Sequence, residues 1–378
     1  MLDLLHVNLR DDVTLVQQLR QQITWLILNE AIKTGEQLPS IHAVADYLGI
    51  NLQTVRAAYK KLEADGLVET RQGRGTHVLD FNPHHFIQAA TYSRSHTIGV
   101  LIPSWANPFY HAFLQGVEEI AEEDQTMIFL CNTHDNPKIL WRNFARLSAK
   151  RVDGILVASY DISEALDAGG ERGESTSVLP YVTVDYPASS GYSVEIDLEL
   201  VGYQATKHLL EHGHRRIGLM TTSMGAENVL PINRGYQRAL TESGAQVFPE
   251  YMIQVPGFLM KYGEEGARRF LEMKERPTAI FAIADTLALG AMKTIKQSGL
   301  TIPADVALVS FNDIPGASLV DPPLTTVSTP AVQMGREAMK MLQALIDGKK
   351  PTKRHITLPV SLIIRQSCGE HEPGTDTG

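Results

Sequence analysis

The sequence predicts an α/β protein in two parts: a small, mainly helical N-terminal unit and a larger unit built on parallel sheets. Three observations carry this. The first eighty residues show helical apolar periodicity closed by a glycine-rich hairpin; from Thr97 onward short apolar runs alternate with amphipathic segments; and the stretch between has neither pattern. At 378 residues the chain exceeds the size at which a single core keeps growing, so two or three compact units are expected. With 43% hydrophobic and 20% charged residues, the composition is that of a globular chain, not a disordered or fibrous one.

Leu15, Leu19, Ile23, Leu26 and Ile27 form one apolar stripe, predicting a helix that runs to about Thr34-Gly35. After Leu38-Pro39, Ser40 is the N-cap of a short helix carrying Val44, Ala45 and Leu48 and closed by Gly49. Asn51 caps a third helix, with Val55, Ala58, Tyr59 and Leu62 inward and Gly66 at its end. Two short helices joined by a tight glycine-containing turn make a helix-turn-helix. The third helix presents Gln53, Thr54 and Arg56 near its outward start and Lys60 and Lys61 further along, an order suited to base edges first and phosphates next. Leu67–Arg71 and Thr76–Leu79 read as strands around Gln72-Gly73-Arg74-Gly75, whose glycines permit close approach to a duplex.

Taken together, Gly35, Leu38-Pro39-Ser40, Leu48-Gly49, Thr54-Val55-Arg56, Leu62, Gly66-Leu67 and Gly73-Arg74-Gly75-Thr76 resemble the GntR family of winged-helix regulators along residues 10–79. The resemblance implies a DNA-binding domain over residues 1–79, with Ser40, Asn51, Gln53, Thr54, Arg56, Lys60, Arg74 and Gly75 as the contact set. Two positions depart from the family: His42 and Leu52 stand where arginines are usual. Charge gives no independent support. The net charge is −9, and residues 1–80 hold eight Lys/Arg against ten Asp/Glu, so any DNA-binding face must be local.

Residues 80–96 contain a proline and no sustained apolar period, and read as a linker. The adjacent His84 and His85 within it lack further ligands at metal spacing and read as a polar turn. Beyond it, Ile98–Ile102, Met127–Cys131, Gly154–Ala158, Tyr181–Val184, Arg216–Met220, Ala279–Ala282 and Val306–Phe311 look like buried strands separated by helices, the order of parallel sheets covered on both faces. Ligands in such sheets collect at the carboxyl ends of strands. Those loops hold Pro103-Ser104-Trp105-Ala106-Asn107-Pro108-Phe109-Tyr110, Asp185-Tyr186 and Phe311-Asn312-Asp313, mixing groups that orient hydroxyls with aromatics that stack on a ring.

Ile98–Pro103 with Asn107-Pro108-Phe109, Arg151–Ile155, His212–Ile217, Arg234-Gly235-Tyr236 and Asp321–Val327 resemble the effector core of the LacI family across residues 97–366. The resemblance implies a fold like that of periplasmic sugar-binding proteins, with two lobes, three crossings and a cleft between them. Lobe 1 is expected at about 97–187 and 328–348, lobe 2 at about 188–327 and 349–366, and a flexible tail at 367–378. A GntR-type head on such a core is similar in layout to bacterial arabinose repressors. Asn107, Phe109, Tyr110, Asp185, Arg234 and Asn312 would line the cleft, Arg234 at a helix start offering a guanidinium to paired hydroxyls or a carboxylate. Ala284, Asn312 and Thr329 replace the usual Asn, Asp and Gln, which alters the hydroxyl contacts and leaves the ligand's identity open.

The implied protein is a cytoplasmic, homodimeric repressor of carbohydrate-utilisation genes, bound to an approximately palindromic operator and responsive to a small molecule. A sugar or sugar derivative is the expected effector and a nucleobase the alternative. No catalytic motif stands in its required context, so no enzyme activity is expected. A pyridoxal-phosphate core, found behind some GntR heads, is the rival reading, but residues 97–366 match the other core. No cofactor and no metal is expected: His208, His212 and His214 show no acidic third ligand and suit a helix C-terminus. Cys131 and Cys368, far apart in the chain, read as free thiols. Arg56→Ala is expected to weaken operator binding by about 1–3 kcal/mol in a gel shift at moderate salt; an unchanged affinity removes Arg56 from the contact set.

Overall fold

A computed structural model describes residues 1–8, 13–28, 31–71, 75–79, 94–134, 136–158, 179–185, 191–223 and 226–369. In the head, α1 spans Leu15–Leu28, α2 Ile41–Leu48 and α3 Leu52–Ala64, followed by the antiparallel pair β1 (Val68–Arg71) and β2 (Gly75–Val78). The caps fall where the sequence places them. Ser40 Oγ accepts from Ala43 N at 3.1 Å, Asn51 Oδ1 accepts from Gln53 N at 2.8 Å, and Gly49 closes α2 in the left-handed region at φ 63°.

The described part of α1 ends at Leu28, and residues 31–34, expected to be helical, are not. The amides of Ala31 and Ile32 both donate back to Leu26 O, at 3.0 and 3.2 Å, which ends the helix and turns Ile32 into the core. The next segment then runs beside β2. Gly35 N donates to Val78 O, Val78 N to Glu36 O and Leu38 N to Thr76 O, at 2.8–2.9 Å. An ion pair absent from the sequence reading ties the ends of the unit together: Arg20 gives Asp65 two hydrogen bonds, at 2.5 and 2.8 Å, with the Asp65 side chain buried. α1 also approaches the larger unit, with Lys150 Nζ 5.7 Å from the centre of the Trp25 ring.

The larger unit holds two six-stranded sheets. Lobe 1 contains β3 (Thr97–Ile102), β4 (Met127–Asn132), β5 (Gly154–Val157), β6 (Tyr181–Val184), β7 (Ser193–Ile196) and β13 (His355–Leu358), all parallel in the order β13-β7-β6-β5-β3-β4. Lobe 2 contains β8 (Ile217–Thr222), β9 (Met252–Val255), β10 (Ala279–Ala282), β11 (Ala307–Asn312), β12 (Thr325–Ser328) and β14 (Ser361–Ile363) in the order β14-β12-β11-β10-β8-β9, antiparallel only at β14. The helices are α4 (Phe109–Glu123), α5 (Pro137–Ala149), α6 (Leu198–Glu211), α7 (Ala226–Glu242), α8 (Met260–Leu271), α9 (Asp285–Gln297) and α10 (Ala331–Ile346).

The described chain passes between lobes at 196–198, 328–331 and 358–361. Two boundaries therefore differ from expectation. β7 and β13, placed by sequence in lobe 2, extend the lobe 1 sheet, because β7 pairs with β6 and β13 with β7. Ser367 and Cys368, expected in a flexible tail, are instead buried, and Ser367 Oγ bridges Leu308 O and Thr325 N, while residues 370–378 lie outside the described residues. β4 is not a buried strand but an edge, with Met127 69% and Phe129 45% exposed.

Three helix pairs cover the sheets, and each is packed through one glycine from either helix. Gly116 of α4 and Gly335 of α10 face the carbonyls of Val332 and Phe113; Gly202 and Gly235 join α6 to α7; Gly263 and Gly290 join α8 to α9. A Cβ at any of the six would lie 1.9–2.2 Å from the partner's backbone oxygen, far inside contact distance. Gly335→Ala should lower stability by about 1–3 kcal/mol or more in thermal unfolding, the cost of overpacking a close contact. Gly316→Ala, where a methyl meets nothing nearer than 3.9 Å, should stay within about 0.5 kcal/mol. Equal effects would dismiss the close-packing argument.

Candidate functional site

On α3, Val55, Ala58, Tyr59 and Leu62 are buried, which leaves Gln53, Arg56 and Lys60 exposed on the opposite side and Thr54 half-buried between them. Arg56 Nη1 donates to Gln53 Oε1 at 3.2 Å, so the two present one polar group. Ser40 and Asn51 remain exposed, but each spends a side-chain oxygen on a helix cap and so positions the face. Tyr59 Oη donates to Pro39 O at 2.8 Å, fixing the entry to α2 against α3, and burial pushes its hydroxyl pKa up. The hairpin is tied to α3 by Thr70 N donating to Glu63 Oε1 at 2.8 Å. Gly75 sits at φ 83°, and a Cβ there would strike the Gln37 side chain. Arg74 lies outside the described residues.

Between the lobes lies a cavity of about 360 Å³. Lobe 1 supplies Ser104, Asn107, Phe109, Tyr110, His134 and Asp185; lobe 2 supplies Leu198, Ile232, Phe258, Tyr262, Phe311 and Asn312. Five of the six residues expected in the cleft are therefore brought together. The lining follows the fold, since Ser104, Asp185 and Asn312 lie at or just past the carboxyl ends of β3, β6 and β11. Phe109 and Tyr110 start α4 with their rings edge to face, centroids 5.0 Å apart, and Asn107 Oδ1 accepts from Phe109 N at 3.1 Å.

Arg234 is the exception. It is mid-helix in α7, its side chain 60% exposed, and it donates to Glu199 Oε2 at 3.1 Å. Val229, Ile232 and Tyr236 occupy the inner face of α7. Two residues beyond Ile232 is about 200° of helical rotation, which points Arg234 away from the cleft. Among the described residues the lining holds no lysine or arginine, and Asp185 is its one carboxylate.

Two backbone features mark the cleft floor. Asp185 and Asp313 take positive φ values of 69° and 58°, and Asn312 stands at 114°, outside the left-handed well that Asn tolerates. Neighbouring bonds hold that loop. The fully buried Asp285 accepts from Ser310 Oγ, from Thr326 Oγ1 at 2.7 Å and from Ile314 N at 2.7 Å. Arg365 donates to Asp313 Oδ1 at 2.7 Å and to Leu324 O at 2.8 Å. Thr329 Oγ1 donates to Asn312 Oδ1 at 3.4 Å, so this departure from the resembled pattern acts on the cleft through Asn312. Burial raises the carboxyls of both Asp185 and Asp285 to a pKa of about 6.

His134, Phe258 and Tyr262 are cleft residues that sequence reasoning missed. Phe258 follows β9, so the rule that points to strand ends would have found it had that four-residue strand been recognised.

Residues 15–78 match the gntR family of bacterial regulatory proteins, and residues 206–368 match the periplasmic binding protein-like domain. The HTH-type transcriptional regulator DegA of Bacillus subtilis is 31% identical over 340 residues, 87% of this chain and 97% of that protein. The chain is a GntR-headed member of the LacI-type transcription regulators. This LacI-type regulator is also 28% identical to the HTH-type transcriptional repressor PurR of Aliivibrio salmonicida, over 87% of this chain and 99% of that one. Among solved structures, a LacI family regulator from Enterococcus faecium with bound ribose aligns with a TM-score of 0.63 and 28% identity, covering 72% of this chain and 98% of that one. The regulator thus couples a DNA-binding head to a small-molecule-binding core, and its relatives are regulators, not enzymes. No helix among the described residues is long and apolar enough to cross a membrane.

The raised Asp185 pKa sets a pH dependence. Between about pH 4 and 6 the native regulator holds a proton that the unfolded chain releases, so stability falls as pH rises through that window and stays lower above it. Asp185→Asn should raise stability at pH 7 by on the order of 1–2 kcal/mol, discounted for water in the cleft, and by nothing near pH 4. Thermal melts across that range measure it; no gain at pH 7 would mean a well-solvated carboxylate.

Proposed function

We propose that the regulator is a homodimeric repressor released from its operator by an uncharged carbohydrate bound between the lobes. The observation that carries the ligand class is the charge pattern of the cleft: one carboxylate, no lysine or arginine among the described lining residues, and Ser104, Asn107, His134 and Asn312 around aromatic walls. Asp185 would accept hydrogen bonds from ligand hydroxyls, and Phe109, Tyr110, Phe258 and Phe311 would pack on the ring. A sugar phosphate or sugar acid would bring a second negative charge beside Asp185, with no lysine or arginine among the described lining residues to pair it. The ribose-bound relative supports the reading.

The similarity to purine repressors, together with so much aromatic wall, favours a nucleobase as the second reading. In both cases Gln53, Thr54, Arg56 and Lys60 of each head would enter the major groove, with Arg74 and Gly75 of the wing beside it, on half-sites related by two-fold symmetry. Ligand that favours one lobe arrangement changes operator affinity by the ratio of its affinities for the two states.

Operator affinity measured by fluorescence anisotropy, with neutral sugars, sugar acids, sugar phosphates and nucleobases added in turn, decides among these. A neutral sugar is expected to weaken binding about 5–150-fold, the usual span of allosteric coupling, and Asp185→Ala to abolish that response while leaving ligand-free operator binding intact. A response confined to nucleobases selects the second reading, and a response confined to anionic ligands overturns both.

A further inference from the structure

We propose that His208, His212 and Cys368 form a Zn²⁺ site that clips the C-terminal segment to the end of α6. His208 and His212 are four apart on the last turn of that helix, the spacing that puts two imidazoles on one face. A sequence search finds no third ligand near them, because it lies 160 residues away. The fold closes that gap: Cys368, just past β14, brings Sγ to 2.9 Å from His208 Nε2, and the three ligand atoms lie within 4.8 Å of one another.

The surroundings suit a metal. His208 and Cys368 are buried at 3% and 2% exposure, and His212 is half-buried at the helix cap. His212 directs Nδ1 at the His208 carbonyl oxygen at 2.9 Å, a bond of the kind that fixes tautomer and ring orientation. Thr325 Oγ1, 3.1 Å from Cys368 Sγ, stands behind the sulfur as an outer partner. Two imidazoles and a thiolate form a borderline-soft donor set that Zn²⁺ prefers over Mg²⁺ or Ca²⁺. Bonds of about 2.1 Å to nitrogen and about 2.3 Å to sulfur place tetrahedral ligand atoms roughly 3.3–3.8 Å apart. His208 Nε2 and Cys368 Sγ, 2.9 Å apart, would separate by about 0.7 Å, and His212, the least buried of the three, would move in by about an ångström. The thiol loses its proton to solvent as the Zn–S bond forms, and water completes the coordination.

The site lies on lobe 2, at the end of α6 opposite Leu198 and the cleft, so it is separate from effector binding. α6 follows the first crossing between lobes and Cys368 follows the third, so the ion would join the two chain segments that leave those crossings.

The test is anaerobic titration of reduced, metal-free, full-length protein with Co²⁺ as a spectroscopic stand-in for Zn²⁺. One equivalent should produce a thiolate-to-cobalt charge-transfer band in the near ultraviolet and tetrahedral bands in the visible, all removed by Zn²⁺. Cys131→Ser should leave the spectrum unchanged. His212→Gln, chosen because it is only half-buried, should weaken cobalt binding at least about tenfold while keeping the parental circular dichroism. Absence of a thiolate band, its loss in Cys131→Ser, or undiminished affinity in His212→Gln overturns the proposal and leaves a thiol–imidazole hydrogen bond.

Discussion

The larger unit depends on how closely its helices can approach each other. In α4–α10, α6–α7 and α8–α9, a glycine from each helix lies against the other's backbone carbonyl, so the pairs pack at backbone contact with no side chain between them. This brings broad, flat helical layers down onto both sheets and seals cores such as that around Phe113, Phe270 and Phe281. Interiors packed in this way do not deform continuously. Each lobe is therefore a closely packed body, and the three short crossings are the described segments that join one to the other.

The cleft floor uses that stiffness. Asn312 is held at a backbone angle that a free loop would abandon, and the bonds of Asp285 and Arg365 with its neighbours Ile314 and Asp313, and of Thr329 with Asn312 itself, keep it there. Two carboxyls with raised pKa values are retained within or below the floor, at a cost to stability near neutral pH. Strain and desolvated charge gathered on one surface, fixed by a rigid surround, are what a preorganised binding site requires.

What the sequence made legible follows from locality. Caps at Ser40 and Asn51, the inward face of α3 and the strands β3, β5, β6, β8, β10 and β11 are each set by neighbours within a few residues, and each falls where pattern reading puts it. The failures have a different origin. Arg234 is expected in the cleft from its motif neighbourhood, but its direction is set by which face of α7 packs inward, and Val229, Ile232 and Tyr236 take that face. β7 and β13 are four-residue strands whose lobe is decided by pairing partners and not by their own composition. The Arg20–Asp65 pair spans 45 residues and the His208–Cys368 contact 160, so neither has a local signal.

The segment Gly35–Leu38 is hydrogen-bonded along β2 and continues through Pro39 into the cap of α2, while Glu63 of α3 holds the other strand of the hairpin. The described strands of the hairpin, the helix entry and α3 are thus joined in one hydrogen-bonded unit. On the proposed docking, operator sites would be read for spacing as well as for bases: a sequence whose groove geometry shifts one contact would disturb the other with it, and base changes beneath helix and wing would combine non-additively.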